Sequence, residues 1–175
     1  KAPQLFERII LVNPASSYNH RPWIHWGCHL SHWLPEFFYQ FASIAFLPFL
    51  ASLERLSLED RQAVLEAVRS VPQKTSVWRL SLLRQFEVDE QQLHQLSQPV
   101  LLIASQADRL LPSVAEAQQL ARSFRNAQTV ILPHSGHACL LEAEINLCQI
   151  MQSAGFLERM PHPTSKSEGA VLNDG

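Results

Sequence analysis

Glycine is scarce in this 175-residue chain, five residues against eleven prolines. That scarcity excludes the Gly-rich phosphate cradles of a complete nucleotide-binding domain, and no cofactor is expected. Charge is also thin: 17% of residues are Asp, Glu, Lys or Arg, with a formal net charge of −2. There is no basic footprint, so no nucleic-acid partner is expected. Cysteine is limited to Cys28, Cys139 and Cys148, an odd number without C-x-x-C spacing. This excludes a disulfide framework or zinc ribbon and points to a reducing compartment. Cys148 falls in an apolar helical pattern and reads as a buried thiol. A membrane span needs about 20 mostly apolar residues, and the aromatic-rich run at 33–50 is broken by Pro35, Glu36, Gln40 and Pro48. No basic-then-apolar leader opens the chain, and it starts at Lys1 rather than Met, so a piece of a longer protein is expected.

What is present is a core. Apolar residues reach 46%, which argues against disorder and against a coiled coil. Three short, continuous, β-branched runs read as strands buried on both faces: residues 8–13 (Arg-Ile-Ile-Leu-Val-Asn), 99–105 (Pro-Val-Leu-Leu-Ile-Ala-Ser) and 128–133 (Gln-Thr-Val-Ile-Leu-Pro). Between the last two, Val114, Ala117, Leu120, Ala121 and Phe124 recur at helical spacing, with Ser113 and Glu116 placed as a capping box. Strand, helix, strand in that order is a βαβ unit, which forces parallel pairing. A helix is expected from about 139 to 153, with Leu140, Leu141, Ile145, Cys148 and Met151 as its stripe. The fold class is therefore α/β, with helices on both sheet faces.

Residues 14–98 hold no convincing strand and read as a helical insertion between two sheet strands. Within it, 57–71 is a helix capped by Ser57 with Asp60 three positions on, and 75–86 and 89–96 read as helices too. The tail from 161 to 175 is polar and is expected to be disordered.

Two residues draw attention by where they fall. Asp108 lies in the loop just past the C-terminal end of the 99–105 strand, and His137 lies in the equivalent loop after the 128–133 strand. Open parallel sheets place their sites at that edge, and neighbouring strands lie about 4.8 Å apart. A carboxylate that orients an imidazole is two-thirds of a nucleophilic triad. Taken singly, Asp108 reads as a loop or capping carboxylate and His137 as a turn residue. Their joint position favours the catalytic reading. His134, before the Ser-Gly turn, reads as a solvated loop residue.

This arrangement resembles the C-terminal half of the α/β-hydrolase family, whose triad runs Ser, then Asp or Glu, then His. The residues that carry the likeness are 99–108 (PVLLIASQAD), Leu111-Pro112-Ser113, Asn126-Ala127-Gln128 and 135–142 (SGHACLLE). The resemblance covers about residues 1–157 and implies a partial α/β-hydrolase fold with three parallel strands. Residues 1–22 would be the family's sixth strand and its exit loop. Residues 23–96 would be the helical cap, and 97–157 the seventh and eighth strands and last helix. A narrower likeness runs through 11–17 (LVNPASS), the proline-rich aromatic cap and 135–142. It is to the cyanobacterial and plastid esterases and acyltransferases related to phytyl ester synthases, which act on lipids. That likeness implies a lipid or other hydrophobic ester as substrate. It also implies a cytoplasmic location, peripheral to an internal thylakoid-type membrane.

The family's nucleophile sits in G-x-S-x-G, and none of the five glycines begins that pattern. The resemblance therefore implies a nucleophile upstream of Lys1, a C-terminal fragment inactive by itself, and a need for the missing N-terminal half. The strand at 8–13 would then have an unpaired apolar edge, an aggregation template. An isolated chain that is insoluble or molten is the expectation.

Trp23, Trp26, Trp33, Phe37 and Phe41 are candidate substrate-binding residues, able to line an acyl tunnel or to touch a bilayer surface. The plainer reading is that they pack the cap on the sheet. His20, His25, His29 and His32 cluster near Cys28, and His25 and His29 have i, i+4 metal spacing. No acidic residue lies among them and tryptophans interleave, so no metal is expected. The sequence is also compatible with two other functions: a non-catalytic lipid-binding or scaffold protein on a degenerate hydrolase fold, and a metal-dependent enzyme using that histidine cluster.

Overall fold

The structure is a computed structural model that describes residues 5–16, 33, 35–84, 87 and 89–157, with the backbone alone at 37, 40, 43 and 84. Three parallel strands form one sheet in the order β1 (Ile9–Val12), β2 (Val100–Ser105), β3 (Ala127–Leu132). Ile9 aligns with Val100 and Val100 with Ala127, so the three strands start at one level, and β1 stops opposite Ile103, two residues before β2 and β3 end together at Ser105 and Leu132. Between β1 and β2 lie α1 (Glu36–Ala45), α2 (Leu47–Leu50), a 3₁₀ turn (Leu53–Arg55), α3 (Leu58–Ser70), α4 (Gln73–Arg84) and α5 (Glu90–His94). Helix α6 (Ser113–Ser123) connects β2 to β3. A 3₁₀ turn (Cys139–Leu141) and α7 (Leu147–Ser153) follow β3.

Strand alternation divides the core in two. Val100, Leu102 and Ala104 face α6 through Ala117, Leu120 and Phe124. Leu101 and Ile103 face the other way, against Leu132, Cys139 and Phe156, with Ile150 and Met151 of α7 packed alongside. Helices thus cover both faces, as the α/β pattern requires. Only β2 is buried throughout, however. Strands β1 and β3, expected to be buried on both faces, are partly exposed because each is an edge of this sheet. On its far side β1 pairs with no strand among the described residues.

Two local expectations are corrected. The single helix at 139–153 is instead a 3₁₀ turn, an extended residue at Glu142, and then α7. The Glu142 carboxylate turns inward to the Gly136 N–H and to Arg55, and Asn146 starts a fresh helix by accepting from the Gln149 N–H. Leu140 and Leu141 are consequently exposed, and so is Cys148. The Ser113–Glu116 capping box does not form. Pro112 is the N-cap of α6, without a side-chain cap bond. Ser113 donates to Asp108, and Glu116 accepts from the Ser16 N–H and hydroxyl. By contrast Ser57 caps α3 by accepting from the Asp60 N–H, as its spacing predicts. No described helix is long and apolar enough to cross a membrane.

Candidate active site

β2 delivers Asp108 and β3 delivers His137, because both lie in the first loop past parallel strands in register. The loops are themselves tied together: the Gln106 N–H donates to the Leu132 carbonyl and the Ala107 N–H to the Ser135 carbonyl. The result is a contact of 2.9 Å between His137 Nδ1 and Asp108 Oδ2. The Asp108 side chain is 1% exposed and that of His137 27%. With Nδ1–H donating to the carboxylate, Nε2 is the nitrogen left to take a proton.

Every lone-pair direction of Asp108 is used. Oδ1 accepts from the Leu110 and Leu111 N–H groups at 2.8 and 3.0 Å. Oδ2 accepts from the Ser113 hydroxyl as well as from His137. Burial, the largest single influence, pushes the carboxyl pKa up. The bonds from His137, Ser113 and Leu111 together outweigh it and hold the group below the ordinary carboxylate range. Asp108 is thus a fixed, ionised acceptor aimed at the imidazole.

The His137 loop is gripped by the insertion. The Ala138 N–H donates to the Leu50 carbonyl and the Ala143 N–H to the Arg55 carbonyl. Glu142 Oε1 accepts from the Gly136 N–H at 2.7 Å, and Oε2 meets Arg55 Nε at 2.7 Å. Arg55 also pairs with the exposed Glu144. The hydrogen bond that Arg55 donates to Glu142 leads the influences that raise the guanidinium pKa further, against the opposing effect of desolvation. Close approach explains why residue 136 is glycine: a Cβ there would stand 2.6 Å from Ser52 Oγ and 3.0 Å from the Ser52 nitrogen.

A third residue sits at this edge. Asn13, the residue that follows β1, has a positive φ of 44° and is buried. Its amide bonds to Ser105 and to the carbonyls of the His137 loop. The sequence places Asn13 in a short motif without indicating this role, nor the roles of Ser113, Glu142 and Arg55. The signals were the asparagine closing a strand and the glutamate following Gly-His.

Of the candidate substrate-binding residues, Trp33 is 83% exposed and Phe41 60% exposed. The Phe37 side chain, Trp23 and Trp26 lie outside the described residues, as do His20, His25, His29, His32 and Cys28. His134 is exposed, as expected. Among the described residues no group of three metal-ligating side chains comes together.

No protein-family model matches the chain. Over 90 residues, 51% of this chain, it is 32% identical to phytyl ester synthase 1, chloroplastic, of Arabidopsis thaliana, covering 13% of that protein. Over 88 residues, 50% of this chain, it is 35% identical to the putative carbamate hydrolase RutD of Stutzerimonas stutzeri (strain A1501), covering 31% of it. Among solved structures, MGS-M2, an alpha/beta hydrolase enzyme from a Medee basin deep-sea metagenome library, matches with a TM-score of 0.65 and 22% identity. That match covers 92% of this chain and 59% of the other. MenH from S. aureus matches with a TM-score of 0.64 and 15% identity, covering 89% of this chain and 60% of its own. The chain spans less than two-thirds of the length of each of these proteins.

Proposed function

We propose that this chain, which carries part of the α/β-hydrolase fold, supplies the acid–base half of a serine hydrolase or acyltransferase site for lipid-like esters. The observation that carries the reading is the 2.9 Å contact between His137 Nδ1 and the buried carboxylate of Asp108 at the sheet edge. A serine from a segment outside these 175 residues attacks the ester carbonyl carbon, and its proton passes to His137 Nε2. Asp108 holds the ring and stabilises the imidazolium. His137 then returns the proton to the leaving alcohol oxygen as the ester bond breaks. Water completes a hydrolase cycle, and a lipid alcohol completes an acyl transfer. In either case His137 takes the proton of the attacking O–H and returns it to the serine oxygen as the acyl–serine bond breaks. On this reading residues 1–175 alone do not turn over ester and need the N-terminal half of the fold, whose strand would cover the edge of β1.

Support for a hydrophobic substrate comes from the exposed aromatics of the insertion, Trp33, Phe38, Phe41 and Trp78. The relative named for phytyl ester synthesis agrees with it. The same surface suits peripheral contact with an internal, thylakoid-type membrane. Expression of the full reading frame, assayed on long-chain and short-chain esters with and without a lipid alcohol, tests the reading. Turnover that falls on His137→Ala and favours long chains is expected. His137-independent turnover, or a preference for small polar carbamates, would overturn it. Complete inactivity of the full-length protein with tight lipid binding would favour a non-catalytic lipid carrier.

A further inference from the structure

Three strand ends meet at the site, yet β1 and β3 are not neighbours. β2 lies between them. Asn13 bridges that gap. Its own N–H donates to the Ile103 carbonyl at 2.8 Å, continuing the ladder to β2. Its side-chain Oδ1 accepts from the Ser105 N–H at 2.8 Å. Nδ2 donates to the His137 carbonyl at 2.6 Å and to Ser105 Oγ at 3.0 Å, with the Gly136 carbonyl at 3.3 Å and Cys139 Sγ at 3.7 Å beyond. The partners fix the orientation of the amide, since oxygen must face an N–H and nitrogen must face carbonyls.

The backbone agrees with this assignment. A φ of 44° is uncommon outside glycine, and asparagine is among the few residues that tolerate it. The turn swings the short side chain under the end of β2 and into the His137 loop. A buried amide with both ends satisfied is directional, and here one bond goes to the main chain of the residue that carries the imidazole.

We infer that Asn13 is the positioning residue for His137: its amide, seated where the three strand ends meet, holds the His137 main chain where the ring meets Asp108. The inference rests on the reading of Asp108 and His137 as an acid–base pair. Asn13 does not touch the reacting atoms. It acts from behind, by fixing the Cα from which the ring projects.

Two substitutions separate positioning from simple structure. Asn13→Gly keeps the left-handed backbone without steric cost and removes the amide. Asn13→Asp keeps an acceptor for the Ser105 N–H but turns an oxygen toward the His137 carbonyl. In the full-length protein, imidazole ¹⁵N spectra would report which ring nitrogen of His137 holds the proton and how fast that proton exchanges. Both variants are expected to melt cooperatively, to lose the single Nδ1–H tautomer, and to show a kcat lower by about 10–100-fold with KM little changed. Cooperatively folded variants with the parent tautomer would overturn the inference. So would failure of both variants to fold, which would assign Asn13 to stability alone. A changed tautomer in a protein that never cleaves esters would uphold the inference and sink the functional reading. Parent-like turnover in both variants, alongside His137-dependent activity in the parent, would do the reverse.

Discussion

Arg55, carried by the insertion, and Glu142, just downstream of His137, meet at 2.7 Å across the edge of the domain. The Glu142 side chain is 1% exposed, and its second oxygen accepts the Gly136 N–H. One carboxylate therefore couples the insertion to the main chain beside the imidazole. In the full-length protein, Glu142→Ala leaves that buried N–H without an acceptor, at an expected cost of about 2 kcal/mol in urea denaturation. Glu142→Gln retains an oxygen for Gly136 and should cost less. Equal stability of the parent and both variants would contradict this coupling.

The contact between Gly136 and Ser52 makes the same loop intolerant of bulk. Gly136→Ala puts a methyl group 2.6 Å from Ser52 Oγ, and overpacking of that kind costs about 1–3 kcal/mol. Thermal melting should show the loss. Adding Ser52→Gly should restore part of it, since the hydroxyl goes but the Ser52 backbone nitrogen at 3.0 Å stays. A double variant no more stable than Gly136→Ala would show that the side chain is not the obstacle.

These contacts also mark where sequence reasoning stops. The three strands were legible because continuous β-branched runs between turn residues have few other uses. The Asp108 and His137 loops followed from strand direction alone. The cap at Ser57 was legible because donor and acceptor lie three residues apart. The Ser113–Glu116 box has the same spacing but did not form, because Asp108 and Ser16 offered each residue a better partner. The break after Leu141 has the same origin, in a glutamate recruited by an arginine far back in the chain. Asn13 depends on three segments at once. What the sequence hid was the long-range choice of polar partners, which no local periodicity encodes.

Asp108 makes a signed prediction for pH. Its carboxyl is held below the ordinary range in the folded protein, so it binds its proton more readily when unfolded. Its stabilising contribution is therefore complete above the ordinary carboxylate pKa of about 3.9 and is lost as pH falls through the depressed folded value. Urea denaturation between neutral and acidic pH should show a shallower acid loss for Asp108→Asn than for the parent. Identical slopes would contradict the assignment.

The cysteines should differ in reactivity. Burial pushes the Cys139 thiol up, further from the reactive thiolate, while Cys148 is exposed. Alkylation of the native protein at neutral pH followed by peptide mapping should modify Cys148 readily and Cys139 only after unfolding. Rapid native labelling of Cys139 would mean that the face of the sheet beneath His137 opens to solvent.

The central claim is that Asp108 and His137 serve a serine lying outside these residues. The most direct test treats the protein of the full reading frame with a fluorophosphonate and locates the modified residue by mass spectrometry. One labelled serine upstream of Lys1 is expected, with labelling slower by at least about 10³-fold in His137→Ala. No labelled serine, or labelling at the parent rate without His137, would contradict it.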